Sequence, residues 1–290
     1  MPDKRTVSEW PKFRLKLLLP LGKRQQGPLN LRYFLTILVA IIAATTALAE
    51  TRDLRQLNSG IEGRGWEGVG RVDFGSSGFC TGVLVGTDLV LTAGHCLFDK
   101  STGQRFDADD IRFKAGLRNG RASAYRSVKH AVLHPRYRFV RTTDASQVRN
   151  DVALLQLARP IRTTEVLPFG TADRPEPGAP ISVVSYAHDR AEAPSLQEAC
   201  KVMDRRRGVL VMSCAADFGA SGAPVFSMDS GEPRIVSLIS AKAESAGVPV
   251  SLGTSLEEPL AVLMVELKAQ TRFKRAGAGD RPSGAKFLRP

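Results

Sequence analysis

The sequence predicts an all-β fold, a barrel or a sandwich, and three observations carry that prediction. Short apolar runs recur along the chain: GVGRVDF, GVLVG, LVLTAG, AVLH, DVALLQL, ISVVSY, GVLVMS, APVFSM and RIVSLIS. Glycine, proline and polar turn residues break them at short intervals, the rhythm of many short strands. Only Glu257 to Gln270 carries a helical stripe, formed by Leu260, Leu263, Met264 and Leu267.

Residues 1–49 stand apart from this pattern. Tyr33 to Ala49 is uncharged, follows the basic residues Lys23, Arg24 and Arg32, and ends in Ala47-Leu48-Ala49 before Glu50. That is the pattern of an export signal, so the remainder is expected to be exported, either secreted or periplasmic. Left uncleaved, the same segment is just long enough to anchor the chain in a membrane. Met1 to Leu31 makes a long lead for such a signal. The folded part is expected over 50–271, with a basic, flexible tail over 272–290.

Charge excludes one broad class. Eight of the 41 Lys/Arg lie in 1–49 and six lie from Arg272 on, against two and one of the 29 Asp/Glu. That leaves 27 basic and 26 acidic residues for 50–271. Such an even balance argues against a nucleic-acid partner, whatever the net +12 of the whole chain suggests.

Four cysteines fall into two groups, Cys80 with Cys96 and Cys200 with Cys214. In an exported chain an even count favours disulfides, and three pairings are formally open. Local pairs fit best, because CTGVLVGTDLVLTAGHC and CKVMDRRRGVLVMSC each resemble strand, turn, strand. No C-x-x-C pair is present, which argues against zinc.

Candidate chemistry centres on DFGASGAP, Asp217 to Pro224. A serine among glycines and alanines is a nucleophile only if a base takes its proton. Of four histidines, His130, His134 and His188 suit structural roles, whereas His95 adjoins Cys96 at the end of LVLTA. A disulfide there would fix its backbone, and proton transfer depends first on geometry. Asp151 enters the apolar run of RNDVALLQL, where an unpaired carboxylate is costly. Pairing with His95 would offset that cost and hold the tautomer that faces the serine. Asp144, in RTTDASQ, has no comparable setting.

Together TAGHC around His95, NDVALLQL around Asp151 and GASGAP around Ser221 resemble the chymotrypsin/trypsin-like serine proteases, in that family's order. The resemblance covers roughly 68–267, and Cys80 and Cys96 match the family's cysteine pair beside the histidine. It implies two six-stranded antiparallel β-barrels, at about 66–168 and 178–258, with a C-terminal helix over about 257–270. It implies a His95, Asp151, Ser221 triad hydrolysing protein or peptide substrates through an acyl-enzyme. The backbone N–H groups of Gly219 and Ser221 would form the oxyanion hole. A monomer without metal or cofactor is expected.

Two departures from the family pattern stand out. Ala220 replaces the aspartate that completes activation in the digestive and clotting branches, and Ala223 replaces a glycine. The chain therefore resembles the bacterial members, which often lack that switch. Ala215 occupies the pocket-base position that holds aspartate in trypsin-like members. With Ser237 and Ile239 on the expected pocket wall, it implies a small or medium apolar side chain before the cut. A catalytically silent binding protein and an esterase with the same triad are the alternatives. GRGWEG satisfies a dinucleotide-binding pattern but no strand precedes it, and DFG lacks the other kinase motifs.

Overall fold

The structure, a computed structural model, describes residues 54–140, 145–245 and 247–278. A short strand β1 (Leu54–Gln56) precedes β2 (Val69–Phe74), β3 (Phe79–Gly86), β4 (Leu89–Thr92), β5 (Ile111–Ala115), β6 (Ala124–Leu133) and β7 (Ala153–Leu157). Alternation sets their faces. In β2, Val72 and Phe74 are buried while Arg71 and Asp73 stay partly exposed, and β5 buries Ile111, Phe113 and Ala115. The strands pair antiparallel in the order β2-β3-β4-β7-β6-β5, and β5 returns to β2, closing a six-stranded barrel. Closure leaves no unpaired sheet edge.

The second half repeats the scheme with longer strands: β8 (Pro180–Ala187), β9 (Arg190–Arg206), β10 (Val209–Met212), β11 (Pro224–Ser227), β12 (Arg234–Ser245) and β13 (Val248–Ser255). They pair in the order β9-β10-β13-β12-β11-β8, and β8 pairs back onto β9, so this ring also closes with six strands. β1 adds antiparallel to β9 outside the ring. Segment 158–179 ties the two barrels: Phe169 N–H donates to Leu84 O, and Ala172 N–H donates to Ile235 O.

Both local cysteine pairs are formed. Cys80–Cys96 joins β3 to the turn after β4, and Cys200–Cys214 joins β9 to the chain just after β10. Each barrel has its own core, built around Phe113, Leu155 and Val90 in the first and Ile181, Leu210 and Val236 in the second. A third cluster lies between them. Val69, Leu91 and Leu154 of the first barrel meet Tyr186, Phe226 and Leu238 of the second. Burying each such side chain stabilises the fold by about 2 kcal/mol.

A four-residue helix α1 (Ala145–Val148) precedes Asp151, and α2 (Glu257–Ala278) ends the described chain. Leu263 and Leu267 of α2 are buried in the cluster between the barrels, with Leu260 and Met264 packed against it. The helix runs past Gln270, where the sequence pattern ends it, because no proline or glycine interrupts 271–276. Its backbone thus includes the start of the segment expected as a flexible tail. No helix among the described residues is long and apolar enough to cross a membrane. The expected signal at 33–49 lies outside them.

Candidate active site

His95 sits in a single 3-10 turn, Gly94–Leu97, directly after β4. The disulfide at Cys96 holds that turn to β3. Asp151 lies between α1 and β7, is 3% exposed, and grips the histidine twice. His95 N–H donates to Asp151 Oδ1 at 2.7 Å, and Nδ1 lies 2.7 Å from Oδ2. The hydroxyl of Ser240 also donates to Oδ2. Three donors on a buried carboxylate offset the cost of taking it out of water. With Nδ1–H directed at Asp151, the proton-free nitrogen of the neutral ring is Nε2.

Neighbouring groups hold this pair in place. Thr254 Oγ1 donates to Val148 O at 2.6 Å and reaches Asp151 O at 3.3 Å, fixing the backbone on both sides of the turn. The Tyr137 phenol is nearly buried, and burial together with the Asp151 charge pushes its pKa upward. It is therefore neutral at any ordinary pH.

Ser221 lies in the turn between β10 and β11. Gly219 and Gly222 flank it with φ of +98° and +77°, a region open to glycine and strained for other residues. Space enforces the same choice. A Cβ on Gly222 would fall 2.4 Å from Thr81 O and 2.4 Å from Thr92 Oγ1, and one on Gly219 would fall 2.6 Å from the Phe79 ring. Thr81 of β3 ties the turn to the first barrel, donating its N–H to Ser221 O at 2.9 Å and its hydroxyl to Gly219 O at 2.9 Å.

The amides of this turn divide into two sets. Those of Ala220, Gly222 and Ala223 donate to Asp217 O, Ile239 O and Ala220 O. Those of Gly219 and Ser221 have no acceptor among the described residues. Unpaired N–H groups on either side of one residue make a site for an oxygen that gains negative charge. Ala220 is buried and has no carboxylate to pair, so the turn keeps its shape without an ion pair at that position.

His95, Asp151 and Ser221 line one cleft of about 370 Å³. No hydrogen bond joins Ser221 to His95 among the described residues, and such contacts commonly tighten only with substrate bound. Lys100, Tyr137, Asp217, Phe218, Ser240 and Lys242 also line the cleft. Of the three residues expected in a specificity pocket, Ile239 lines it, whereas Ala215 and Ser237 are not among its lining residues. Ser237 is fully buried in β12 and bonds Thr254 O, and the Ala215 amide is turned to Gln197 Oε1.

His130 and His134 are buried away from the cleft lining, and His188 is exposed. Cys80, His95 and Cys96 bring three potential metal-ligand atoms together, but the disulfide occupies both sulfurs. Sequence reasoning missed Thr81 and the part played by Ser240. Ser240 lies in VSLIS, noted only as a pocket wall, and Thr81 has no local signal beyond its place beside Cys80.

Two six-stranded barrels followed by a helix define the chymotrypsin-like class of fold. The sequence model of the trypsin family matches residues 61–252, and the chain belongs to that family. It is 28% identical over 156 residues to a glutamyl endopeptidase of Bacillus licheniformis, covering 53% of this chain and 47% of the relative. A trypsin of Sarcophaga bullata is 30% identical over 112 residues, covering 38% and 40%. The chain thus spans less than half the length of these curated relatives. Among solved structures, a Glu endopeptidase in complex with MPD superposes with a TM-score of 0.59 at 15% identity, covering 70% of this chain and 91% of that one. A thermostable serine protease from an extremophilic microorganism gives 0.51 at 18%, covering 66% and 91%. Both share the fold.

Proposed function

We propose that this chain is an exported serine endopeptidase acting through His95, Asp151 and Ser221. The observation that carries the reading is the double grip of Asp151 on His95, in the cleft that also holds Ser221, whose own amide and that of Gly219 have no acceptor among the described residues. The Ser221 hydroxyl attacks the scissile carbonyl as His95 Nε2 takes its proton. Asp151, itself held by Ser240, stabilises the imidazolium that forms. The developing oxyanion is bound by the Gly219 and Ser221 amides, each worth about 3 kcal/mol to the transition state. His95 then gives its proton to the leaving amine, and water admitted on the same face hydrolyses the acyl-enzyme. Export is supported by the signal pattern at 33–49 and by two disulfides, which persist in oxidising compartments.

A serine-directed fluorophosphonate should label the intact chain at Ser221, with labelling lost in His95→Ala. Peptide hydrolysis should fall by about four powers of ten or more in Ser221→Ala. Turnover by Ser221→Ala comparable with the unaltered chain would end the assignment.

A further inference from the structure

Beyond the reacting residues, the cleft carries charge that hydrolysis does not use. Lys100 comes from the chain after β4 in the first barrel, and Lys242 lies on β12 in the second. Their ammonium groups converge on one side chain: Lys100 Nζ lies 5.4 Å, and Lys242 Nζ 4.7 Å, from the centre of the Phe218 ring. That ring is 67% exposed and stands three positions before Ser221. The negative face of an aromatic ring attracts a cation, yet two cations at one ring repel each other.

Partners for these lysines are scarce. Asp217 Oδ1 is 3.9 Å from Lys242 Nζ, a loose pair with both side chains more than half exposed. Lys100 has no carboxylate within ion-pair distance among the described residues. Asp151 also lines the cleft, but its oxygens are committed to His95 and Ser240. Two lysines therefore face one available carboxylate. The adjoining walls, Ala216, Ile239 and Ala241, offer no side-chain donor; Tyr137 and Gln147 also line the cleft, but Lys100 and Lys242 are the lysines that bring positive charge to it.

We infer that the cleft selects peptides carrying a carboxylate side chain close to the scissile bond, held between Lys100 and Lys242 over Phe218. This names a substrate class for the proposed peptidase and rests on that reading. It is compatible with an apolar side chain before the cut, since the carboxylate binds at the mouth. A lysine or arginine brought to the same place meets two like charges, against which Asp217, already drawn to Lys242, gives little compensation.

The test uses binding to the Ser221→Ala chain, which does not depend on turnover. Fluorescent peptides matched except for Glu, Gln or Lys at one position, moved along the sequence, are titrated by anisotropy. At one position or more the Glu peptide should bind about five-fold tighter than the Gln peptide, the scale of a partly exposed ion pair. That advantage should shrink in high salt and in Lys100→Gln or Lys242→Gln, and pass to the Lys peptide when both lysines become Glu. Equal binding of Glu and Gln peptides at every position would overturn the inference, as would an advantage that survives both lysine substitutions. Hydrolysis by the unaltered chain separates the two claims. Cleavage without acid preference sinks the inference and keeps the peptidase. Acid-preferring binding with neither cleavage nor labelling sinks the peptidase and keeps the acid-selective groove.

Discussion

The two barrels share a strand scheme but differ in how they meet the cleft. The first presents short strand ends, with His95 in a disulfide-held turn and Asp151 buried at the start of β7. The second presents Ser221 in a glycine turn beside a β12–β13 hairpin whose outer residues, Ala243 to Ser245, are exposed. One side is fixed by burial, and the other projects into solvent. On the proposed mechanism the difference puts proton handling on the first barrel and the nucleophile on the second, while cleft-lining side chains come from both, Lys100 from the first and Lys242 from the second.

The comparison breaks most visibly where the barrels interlock. Gly222 belongs to the second barrel, yet every atom its Cβ would strike, Thr81 O, Thr92 Oγ1 and Ala93 N, belongs to the first. Gly231 has a similar φ of +81° with nothing within 4 Å of a Cβ. Gly231→Ala therefore measures backbone strain alone, about 1 kcal/mol in denaturant unfolding. Gly222→Ala adds the clash and should cost about 3 kcal/mol or more, with loss of fluorophosphonate labelling. Equal costs at the two positions would mean that the turn shifts freely against the first barrel.

A smaller effect tests whether the second barrel also supports the histidine–aspartate pair. Ser240 donates to Asp151 from β12, and Ser240→Ala removes one of three donors while leaving both bonds to His95. A lost bond to a charged acceptor is worth about 1.5 to 3 kcal/mol. The expected result is a fall in kcat of about ten-fold or more with KM nearly unchanged, restored in part by Ser240→Thr. An unchanged kcat would leave the second barrel's support of Asp151 to the bonds that the Thr254 hydroxyl makes to the backbone.

Legibility in the sequence follows the same division. His95, Asp151 and Ser221 lie in local motifs whose order along the chain is visible, and both disulfides follow from strand, turn, strand spacing. Helix α2 was legible from Leu260, Leu263, Met264 and Leu267, but its end was not, since periodicity fades before the helix does. The pocket wall was the weakest part. β12 is expected to alternate, yet its register against β13 shifts between Ile239 and Ala241, leaving Ser240 between the paired positions. A bulge of this kind redirects a side chain. It accompanies a Ser240 hydroxyl bonded to Asp151, and no alternation pattern announces it. Thr81 was equally hidden, because both of its bonds to the serine turn span more than a hundred residues of sequence.

The smallest expected effect concerns pH, and it falls on His134 of the first barrel. His134, just after β6, is 1% exposed; its Nδ1 accepts the Arg136 N–H, and its Nε2 has no partner among the described residues. Burial, and next the Arg136 charge, hold its pKa below the usual 6.5, while Glu258 and Glu266 of α2 act in the opposite sense. The unfolded chain gains a proton here as pH falls through about 6.5, whereas the folded chain gains it only at lower pH. Between those values the unfolded state binds more protons, so the stability contribution present above 6.5 is lost as pH falls. Replacing His134 with Gln keeps an acceptor for the Arg136 amide and removes the titration. Thermal melts from pH 8 to pH 5 should show the unaltered chain losing more stability than His134→Gln, so that the two curves converge toward acid. Curves that stay parallel across that range would mean that His134 takes up its proton equally in both states, and that the burial of the first barrel places no acid limit on the fold.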